Sequence, residues 1–519
     1  MNSIQDSQSE PAAKATLALG ALGVIAACKL GLHLAAITHY GYFRDELYYL
    51  ASTDHLDMGY VDHPPFSIVA LAVIRALLGD SLAAVRIVPV LTGVGVIFLV
   101  GLMTRRLGGG AFAQTLAALC TLMSPVFLGQ NRYYSMNAWD LFFWTLAAWA
   151  LLRALDENRP RDWMVLGVAL GLGLLNKISV LWLGAGILVA LLATPHRRVL
   201  RTPWPYVAGG IAAFLFHPYP VWEMHHGWPT LEFMHNATTQ KMVAVSPLSF
   251  LGGQLLEMSP GTAPIWIAGI LFGLFSREHR KGRVLVWIYL TVLAILLTSG
   301  TSRASYLAVA YPPLLALGGV AWERLTLAAP RGWLKPAIMI LVIALGLVGV
   351  PMAIPILPVE TFVRYQAALG LAPGTEEHHQ MGALPQHYAD MFGWEQMTHL
   401  VAEAYGRLTP AEQKRCKVFG QNYGEAGAID VLGRKLNLPH ALSGHNSYWI
   451  WGPGKDDWDV LIIIGGDRPD NAQFFEDIEI VGQTDSPWSM PYERGLDVSI
   501  ARRPKVSLQE AWPRLKHFI

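Results

Sequence analysis

An acidic pair, Asp45 and Glu46, directly follows the first long apolar run of the chain. A carboxylate at such a boundary can accept the proton of an attacking hydroxyl group. Acidic residues also favour the first turn of a helix, so a solvated helix start is the plain structural interpretation of the same pair. From their position alone, both interpretations stay open.

Basic residues in other short turns change this balance, because those turns fall on the same predicted side of the membrane as the acidic pair. A lone cation there can extend towards lipid headgroups, but ionisable groups at membrane depth usually face a cavity or a partner. Lysine and arginine can also bind a lipid phosphate and stabilise the charge that it gains on leaving. The combination favours a reaction site at headgroup level, and its further charged members are Lys177, Arg303, Arg132 and Asp140.

The composition is that of a membrane protein, because 53% of the 519 residues are hydrophobic and 15% are charged, whereas soluble proteins carry about 25% charged residues. The net charge of +1 does not indicate a nucleic-acid partner. A helix needs about 20 apolar residues to cross a membrane, and the sequence predicts a polytopic α-helical protein with about eleven transmembrane helices. We place them at 15–38, 82–104, 111–128, 137–155, 162–176, 179–194, 204–221, 258–275, 284–299, 304–322 and 334–356.

Basic residues are concentrated in five alternate loops, which the positive-inside rule assigns to the cytoplasm. The N-terminal tail, residues 1–14, is then cytoplasmic, and an odd number of spans leaves the chain after Pro358 on the outer side. The basic residues concerned are Arg105, Arg106, Arg153, Arg159, Arg161, Arg197, Arg198, Arg201, Arg277, Arg280, Lys281, Arg283, Arg324, Arg331 and Lys335.

Two long loops, 39–81 and 222–257, fall on the outer side in this topology and belong to a transmembrane domain that spans residues 15–356. Segment 44–56 is predicted as an amphipathic helix that lies in the membrane interface. Asp62 is predicted as the cap of a short apolar helix at 64–79.

The C-terminal region, residues 357–519, is predicted as an extracytoplasmic soluble α/β domain. Its short apolar runs predict strands at 417–420, 460–464, 478–481 and 498–501, with a helix at 425–436. Segments 422–430 and 443–449 either contact the acceptor and cap a site or are turn and core residues. The sequence leaves both interpretations open.

Six short motifs between residues 38 and 325 occur in the order that one enzyme family shows. They are YFRDELYY at 42–49, DHPP at 62–65, MNAWD at 136–140, LNK at 175–177, HGWPTLEF at 226–233, and RASYL with YP at 303–312. By this ordered set the chain resembles glycosyltransferase family 39. That family contains the protein O-mannosyltransferases, and the lipid A aminoarabinose transferases are its more distant bacterial relatives.

The resemblance implies the GT-C membrane fold, a polyprenyl-phosphate sugar donor and inversion at the anomeric carbon. It makes Asp45 the catalytic base, with Glu46 in support. Our hypothesis is that a hexose such as mannose passes to a lipid, glycan or protein acceptor outside a bacterial plasma membrane. The resemblance assigns Lys177 and Arg303 as donor-phosphate ligands. Our hypothesis adds Arg132 as a third phosphate ligand, and its further substrate contacts are Asp62, His63, Asn137, Asp140 and Tyr306.

One motif departs from the family pattern. The aminoarabinose transferases have Glu-Lys before Pro-Pro, where this chain has Asp62-His63. This difference argues against a lipid A substrate and against a cationic role for His63. Those relatives can also bind a metal through the same acid and a later loop histidine. A divalent metal held by Asp62 with His225, His226 or His235 is therefore an open alternative.

Two other function classes compete with an enzyme. A transporter or flippase of lipid-linked sugars would show inverted repeats and helices broken near the bilayer midplane. We find no convincing internal repeat, and the ionisable groups cluster at the outer boundary rather than at the midplane. A catalytically silent lipid-binding subunit would keep phosphate ligands but show no turnover.

Overall fold

The computed structural model describes residues 15–276, 282–327, 330–374, 377–455 and 457–519. The predicted cytoplasmic tail and the predicted cytoplasmic residues Arg277, Arg280 and Lys281 lie outside the described residues. The helices up to residue 353 are α1 (Leu19–Ala36), α2 (Arg44–Ser52), α3 (Phe66–Leu78), α4 (Leu82–Arg106), α5 (Ala111–Met123), α6 (Pro125–Gln130), α7 (Met136–Glu157), α8 (Pro160–Asn176), α9 (Val180–Ala193), α10 (Trp204–Phe216), α11 (Pro218–His225), α12 (Pro229–Asn236), α13 (Pro247–Glu257), α14 (Ala263–Phe275), α15 (Gly282–Ser299), α16 (Tyr311–Leu327) and α17 (Leu334–Ala353).

The apolar runs of the sequence form helices throughout this part of the chain. Every predicted span overlaps one of them. Among the described residues, six helices are long and apolar enough to cross a membrane, or eight if each of two bent pairs is one span. The bends separate α9 from Pro195–Arg201 and α13 from Pro260–Phe275. The chain is therefore a polytopic helical membrane protein, and a count of eleven spans stays a prediction.

Close contacts between backbones hold two of these helices together. A Cβ atom on Gly269 of α14 would collide with the carbonyl group of Leu314 in α16, and one on Gly318 would collide with that of Ile265. Small residues at such crossings are usual in membranes, where helices associate through tight packing rather than hydrophobic exclusion from water. The sequence thus needs glycine at both positions for α14 and α16 to meet.

The C-terminal region adds short helices and a sheet. Its helices are α18 (Val359–Ala368), α19 (Gln386–Ala389), α20 (Trp394–Gly406), α21 (Pro410–Gln413), α22 (Tyr423–Leu432), α23 (Ser447–Trp451), α24 (Arg468–Phe474) and α25 (Leu508–Ala511). In the described residues its strands are β1 (Cys416–Gly420), β2 (Ala441–Leu442), β3 (Val460–Ile464), β4 (Phe475–Gln483) and β5 (Asp497–Pro504).

These strands form one mixed sheet in the order β2–β1–β3–β5–β4. Strand β1 pairs in parallel with β2 and β3, while β5 runs antiparallel to both β3 and β4. All four predicted strands fall within observed ones, and the helix predicted at 425–436 corresponds to α22 and the 3-10 turn after it. The division into two domains at residue 357 stays a prediction.

Helix α2 is buried between the membrane helices and the sheet. Residues 46–52 are all buried, and Leu47 and Tyr48 pack in one apolar cluster with Val418 and Ile462 of the sheet. The prediction of a helix lying in the lipid interface is therefore wrong. Its apolar face is covered by the C-terminal region, which the local sequence pattern cannot reveal.

The entry to helix α3 also differs from the prediction. The residue before α3 is Pro65, and no side chain caps the helix. Asp62 instead accepts a hydrogen bond from the Tyr48 hydroxyl at 3.0 Å. The predicted cap is wrong, because this carboxylate faces α2 rather than the first turn of α3.

Candidate active site

A buried ion pair fixes helix α2 against the membrane helices. Arg86 of α4 donates through Nη2 to Glu46 Oε2 at 2.7 Å and through Nε to Oε1 at 3.0 Å. Glu46 also accepts hydrogen bonds from the backbone amides of Phe43 and Tyr134, both at 2.9 Å. We predicted both members of the acidic pair at the outer surface, but the Glu46 side chain is 0% exposed. Its contacts hold the helix that carries Asp45.

Asp45 itself remains open to solvent, with 35% of its side chain exposed. Its Oδ1 atom accepts a hydrogen bond from the Tyr423 hydroxyl at 3.0 Å and lies 4.0 Å from Arg44 Nε. Arg44 in turn donates to the Tyr492 hydroxyl at 2.7 Å and lies 3.8 Å from Asp390. The partly exposed carboxylate is thus oriented by a phenol and a guanidinium group.

Asp62 forms a second acidic position close to the first. Tyr48 donates to Asp62, and the Tyr48 hydroxyl lies 2.7 Å from Ser447 Oγ in the C-terminal region. Burial raises the pKa of the Asp62 carboxyl, an effect that the neighbouring His63 ring opposes. His63 is buried, and its Nε2 atom has no hydrogen-bond partner among the described residues. Its Nδ1 lies 3.1 Å from the Pro64 carbonyl oxygen.

Three of the predicted site residues surround a fourth, Lys177, at the end of α8. Its Nζ donates to Asn137 Oδ1 at 2.7 Å and lies 3.6 Å from Asp140. The same ammonium group lies 5.5 Å from the ring centroid of Tyr306. Ser179 donates to Asp140 at 3.0 Å, which holds that carboxylate in place. Polar and aromatic side chains therefore hold the Lys177 ammonium group in a defined position.

Arg303 belongs to a second cationic cluster, which sequence reasoning missed. It donates to Glu377 at 2.7 Å, and Lys241 and His379 lie 3.7 Å and 3.4 Å from the same carboxylate. Burial opposes ionisation of Glu377, but the charges of Lys241, Arg44 and Arg303 lower its pKa to about 2. Burial also lowers the pKa of Lys241. One carboxylate is thus surrounded by an excess of positive charge.

Electrostatic interactions connect these clusters. The charges of Glu377, Arg44, Arg303 and Asp45 all act on Lys241. Tyr306 links the two cationic clusters, because its ring faces Lys177 and its amide donates to the Arg303 carbonyl at 3.1 Å. The arrangement can hold an anion beside a carboxylate that is free to accept a proton.

Arg132 and the candidate metal ligands have other surroundings. Arg132 is buried, donates to the Ala353 and His387 carbonyls at 2.8 Å and 3.0 Å, and lies over the Tyr133 and Tyr388 rings. These contacts tie α17 to the start of α19.

Among the described residues, no group of three or more His, Cys, Asp or Glu side chains is arranged to hold a metal ion. The three histidines considered as metal ligands together with Asp62 are all exposed: His225, His226 and His235.

The residues that sequence reasoning missed are Arg86, Lys241, Glu377 and Tyr423. Arg86 offered a signal, since a cation within an apolar run requires a buried partner. Tyr423 and Glu377 offered none, because Tyr423 lies 378 positions from Asp45 and Glu377 lies 74 positions from Arg303. The C-terminal segments 422–430 and 443–449 both contact the first long loop, the former through Tyr423 and the latter through Ser447.

Comparison with known proteins gives three consistent findings. The family model described as dolichyl-phosphate-mannose-protein mannosyltransferase matches residues 62–222. An undecaprenyl phosphate-α-4-amino-4-deoxy-L-arabinose arabinosyl transferase of Pseudomonas fluorescens is 25% identical over 61% of this chain and 60% of its own length. The lipid A galacturonosyltransferase RgtD of Rhizobium johnstonii is 22% identical over 51% of this chain and 56% of its own. The chain thus spans about 60% of the length of these curated relatives.

Solved structures match more of the chain. ArnT from Cupriavidus metallidurans bound to undecaprenyl phosphate superposes with a TM-score of 0.62 over 93% of this chain and 98% of its own, at 13% identity. The oligosaccharyltransferase of Archaeoglobus fulgidus in the apo form gives a TM-score of 0.50 over 86% of this chain and 69% of its own, at 15% identity. At these identities the likeness shows the fold.

The fold therefore defines the class: this is a membrane protein with the GT-C fold. Within that class the sequence is similar to an undecaprenyl phosphate-α-4-amino-4-deoxy-L-arabinose arabinosyl transferase over 61% of the chain.

Proposed function

We propose that the chain is an inverting glycosyltransferase that moves a sugar from a polyprenyl-phosphate donor to an acceptor hydroxyl. The observation that carries this proposal is the position of Asp45. This partly exposed carboxylate lies 4.0 Å from Arg44 Nε. Its charge also acts on Lys241, on which the charge of Arg303 acts as well. A base and an anion site side by side are what displacement of a sugar from its phosphate requires.

In this mechanism Asp45 removes the proton of the acceptor hydroxyl as its oxygen attacks the anomeric carbon. The bond between that carbon and the phosphate oxygen breaks, and its electron pair leaves with the lipid phosphate. Lys177 and Arg303 stabilise the departing phosphate through charge-assisted hydrogen bonds. Attack from the face opposite the phosphate inverts the anomeric configuration.

We also propose the class of donor and the place where the reaction occurs. The relatives are named for aminoarabinose and galacturonic acid transfer, and one solved neighbour holds undecaprenyl phosphate. We propose a hexose donor such as a polyprenyl-phosphate mannose, and a lipid, glycan or protein acceptor. The reaction would occur at the outer face of a bacterial inner membrane, with the N-terminus in the cytoplasm and the C-terminal region outside.

The test uses the purified full chain and radiolabelled polyprenyl-phosphate sugars that carry mannose, glucose, galacturonic acid or aminoarabinose. Wild-type protein should release lipid phosphate and transfer or slowly hydrolyse one of these sugars. Asp45→Asn should lower turnover by a factor of about 10² to 10⁴, the usual contribution of a general base. Asp57→Asn is the matched control, since Asp57 is an exposed acid of the same loop that accepts from Trp222 at 2.7 Å.

The outcome separates this proposal from its rivals. Full turnover by Asp45→Asn would remove Asp45 as the base. A flippase would move the lipid-linked sugar across a vesicle without cleaving its phosphate bond. The relatives, which are named as transferases, favour the enzyme over that alternative.

A further inference from the structure

Tyr423, the first residue of α22, reaches the proposed base from the C-terminal region. Its hydroxyl donates to Asp45 Oδ1 at 3.0 Å across 378 positions of sequence. Among the described residues, the other carboxylate oxygen of Asp45 accepts no hydrogen bond, and the side chain is partly exposed. One oxygen is therefore held in place while the other stays open to an acceptor hydroxyl.

Two neighbouring side chains hold the Tyr423 ring in place. It packs against the Tyr48 ring at a centroid distance of 4.7 Å, and the Arg44 guanidinium lies 5.3 Å from its centroid. Burial, opposed by the Arg44 charge, raises the pKa of the Tyr423 phenol well above its usual value. The hydroxyl therefore keeps its proton near neutral pH and donates to Asp45.

The two helices that carry this contact are packed directly against each other. Asn422 caps α22 by accepting from the Gly424 and Glu425 amides at 2.8 Å and 3.1 Å. A Cβ atom on Gly427 would lie 2.9 Å from the Leu47 carbonyl carbon, so α22 touches the backbone of α2. The helix contact, rather than side-chain flexibility, sets the distance between the phenol and the carboxylate.

We propose that Tyr423 is a positioning residue for Asp45, supplied by the C-terminal region. Its hydrogen bond orients the carboxylate with one oxygen open and favours the ionised form that can accept a proton. The inference rests on the proposed function for the role of Asp45, but the orientation and ionisation of this carboxylate can be measured without turnover.

The test compares Tyr423→Phe, which keeps the ring and removes the hydroxyl, with Tyr448→Phe as the matched control. Tyr448 is a buried tyrosine of the same region whose hydroxyl donates to Asp430 at 2.7 Å. In Tyr423→Phe we expect kcat to fall about tenfold, KM for the donor to stay within about twofold, and the acid limb of kcat/KM to move up by about one pH unit. Tyr448→Phe should keep the wild-type kcat and pH profile.

A second readout does not depend on activity. Carbodiimide modifies protonated carboxyl groups, and peptide mass spectrometry gives the extent at Asp45 as a function of pH. The midpoint should rise by about one pH unit in Tyr423→Phe and stay unchanged in Tyr448→Phe. The other charged groups that act around Asp45, which are Arg44, Asp62, Asp390 and Lys241, are the same in both variants.

An unchanged midpoint for Tyr423→Phe would overturn the proposal, as would equal losses of kcat in both variants. If wild-type protein transfers no sugar while the midpoint still shifts, the proposed function fails and the positioning contact stands.

Discussion

The buried pair of Glu46 and Arg86 makes a strong prediction about stability. Glu46→Gln keeps the size of the side chain but removes its charge, which leaves the Arg86 guanidinium buried without a counter-ion. Both carboxylate oxygens are engaged, each by Arg86 and by one backbone amide. A glutamine at position 46 has only one oxygen that can accept these hydrogen bonds. Its amide nitrogen is a donor and would face donor groups in place of the second oxygen.

The expected loss follows from these contacts. Breaking a buried ion pair by removing one partner costs about 3–5 kcal/mol, because an uncompensated charge remains. At roughly 2 °C per kcal/mol, the lower end for larger domains, the unfolding midpoint should fall by about 6–10 °C. A double variant, Glu46→Leu with Arg86→Met, removes both charges and should recover part of the loss. Recovery stays incomplete because the Phe43 and Tyr134 amides lose their acceptor.

The assay is thermal unfolding of detergent-purified protein followed at one fixed scan rate, since irreversible unfolding makes the midpoint depend on rate. Arg415→Met is the matched control. Arg415 pairs with Asp459 at 2.9 Å, but both side chains are about half exposed, at 55% and 50%. Loss of such a surface pair changes stability by about 1 kcal/mol or less.

Two results would refute this reasoning. A midpoint for Glu46→Gln within about 1 °C of wild type would mean that the pair contributes little to the fold. A double variant no more stable than Glu46→Gln would mean that the uncompensated charge of Arg86 is not the cause of the loss.

Two further predictions concern the surroundings of the site. Burial, opposed by the Arg44 charge, raises the pKa of Asp390 to about 6. The unfolded chain releases this proton near pH 4, so the group stabilises the fold fully below about pH 4 and loses that contribution as pH rises to about 6. Asp390→Asn should remove about 3 kcal/mol of this pH dependence, measured as the difference in unfolding midpoint between pH 4 and pH 7. Glu377→Gln removes the carboxylate that Arg303 binds and should lower the donor KM by about fivefold, because the guanidinium can then bind the donor phosphate. An increased KM in steady-state kinetics would contradict the role of Arg303 as a phosphate ligand.

The membrane helices could be predicted from the sequence because their signal is local. Apolar runs of sufficient length form helices whatever lies elsewhere in the chain, and each predicted run overlaps a helix. The strands of the C-terminal region are also local signals, since β3 is an unbroken apolar run, Val460–Ile464, that is buried throughout. Lys177, Asn137 and Tyr306 were predicted as site residues, and the structure shows that Asn137 and Tyr306 both contact Lys177, which the sequence did not predict.

The burial of α2 could not be predicted from its own sequence. Its tyrosines and leucines suit a membrane interface as well as a protein core, because both environments favour amphipathic aromatic side chains. The choice depends on α22 and the sheet, which begin more than 350 positions later. Likewise, Glu377 neutralises Arg303 from 74 positions away, so that no spacing rule connects the two.

The position of the family match bears on specificity. The matched segment, 62–222, contains Lys177 but neither Asp45 nor Arg303 nor Tyr423. The match therefore covers part of the membrane scaffold and one proposed phosphate ligand, while the proposed base and its orienting phenol lie outside it. An active site on a shared fold can change its acceptor specificity while the fold stays the same. The acceptor should accordingly be sought with variants around the exposed carboxylate of Asp45, rather than inferred from the relatives' names.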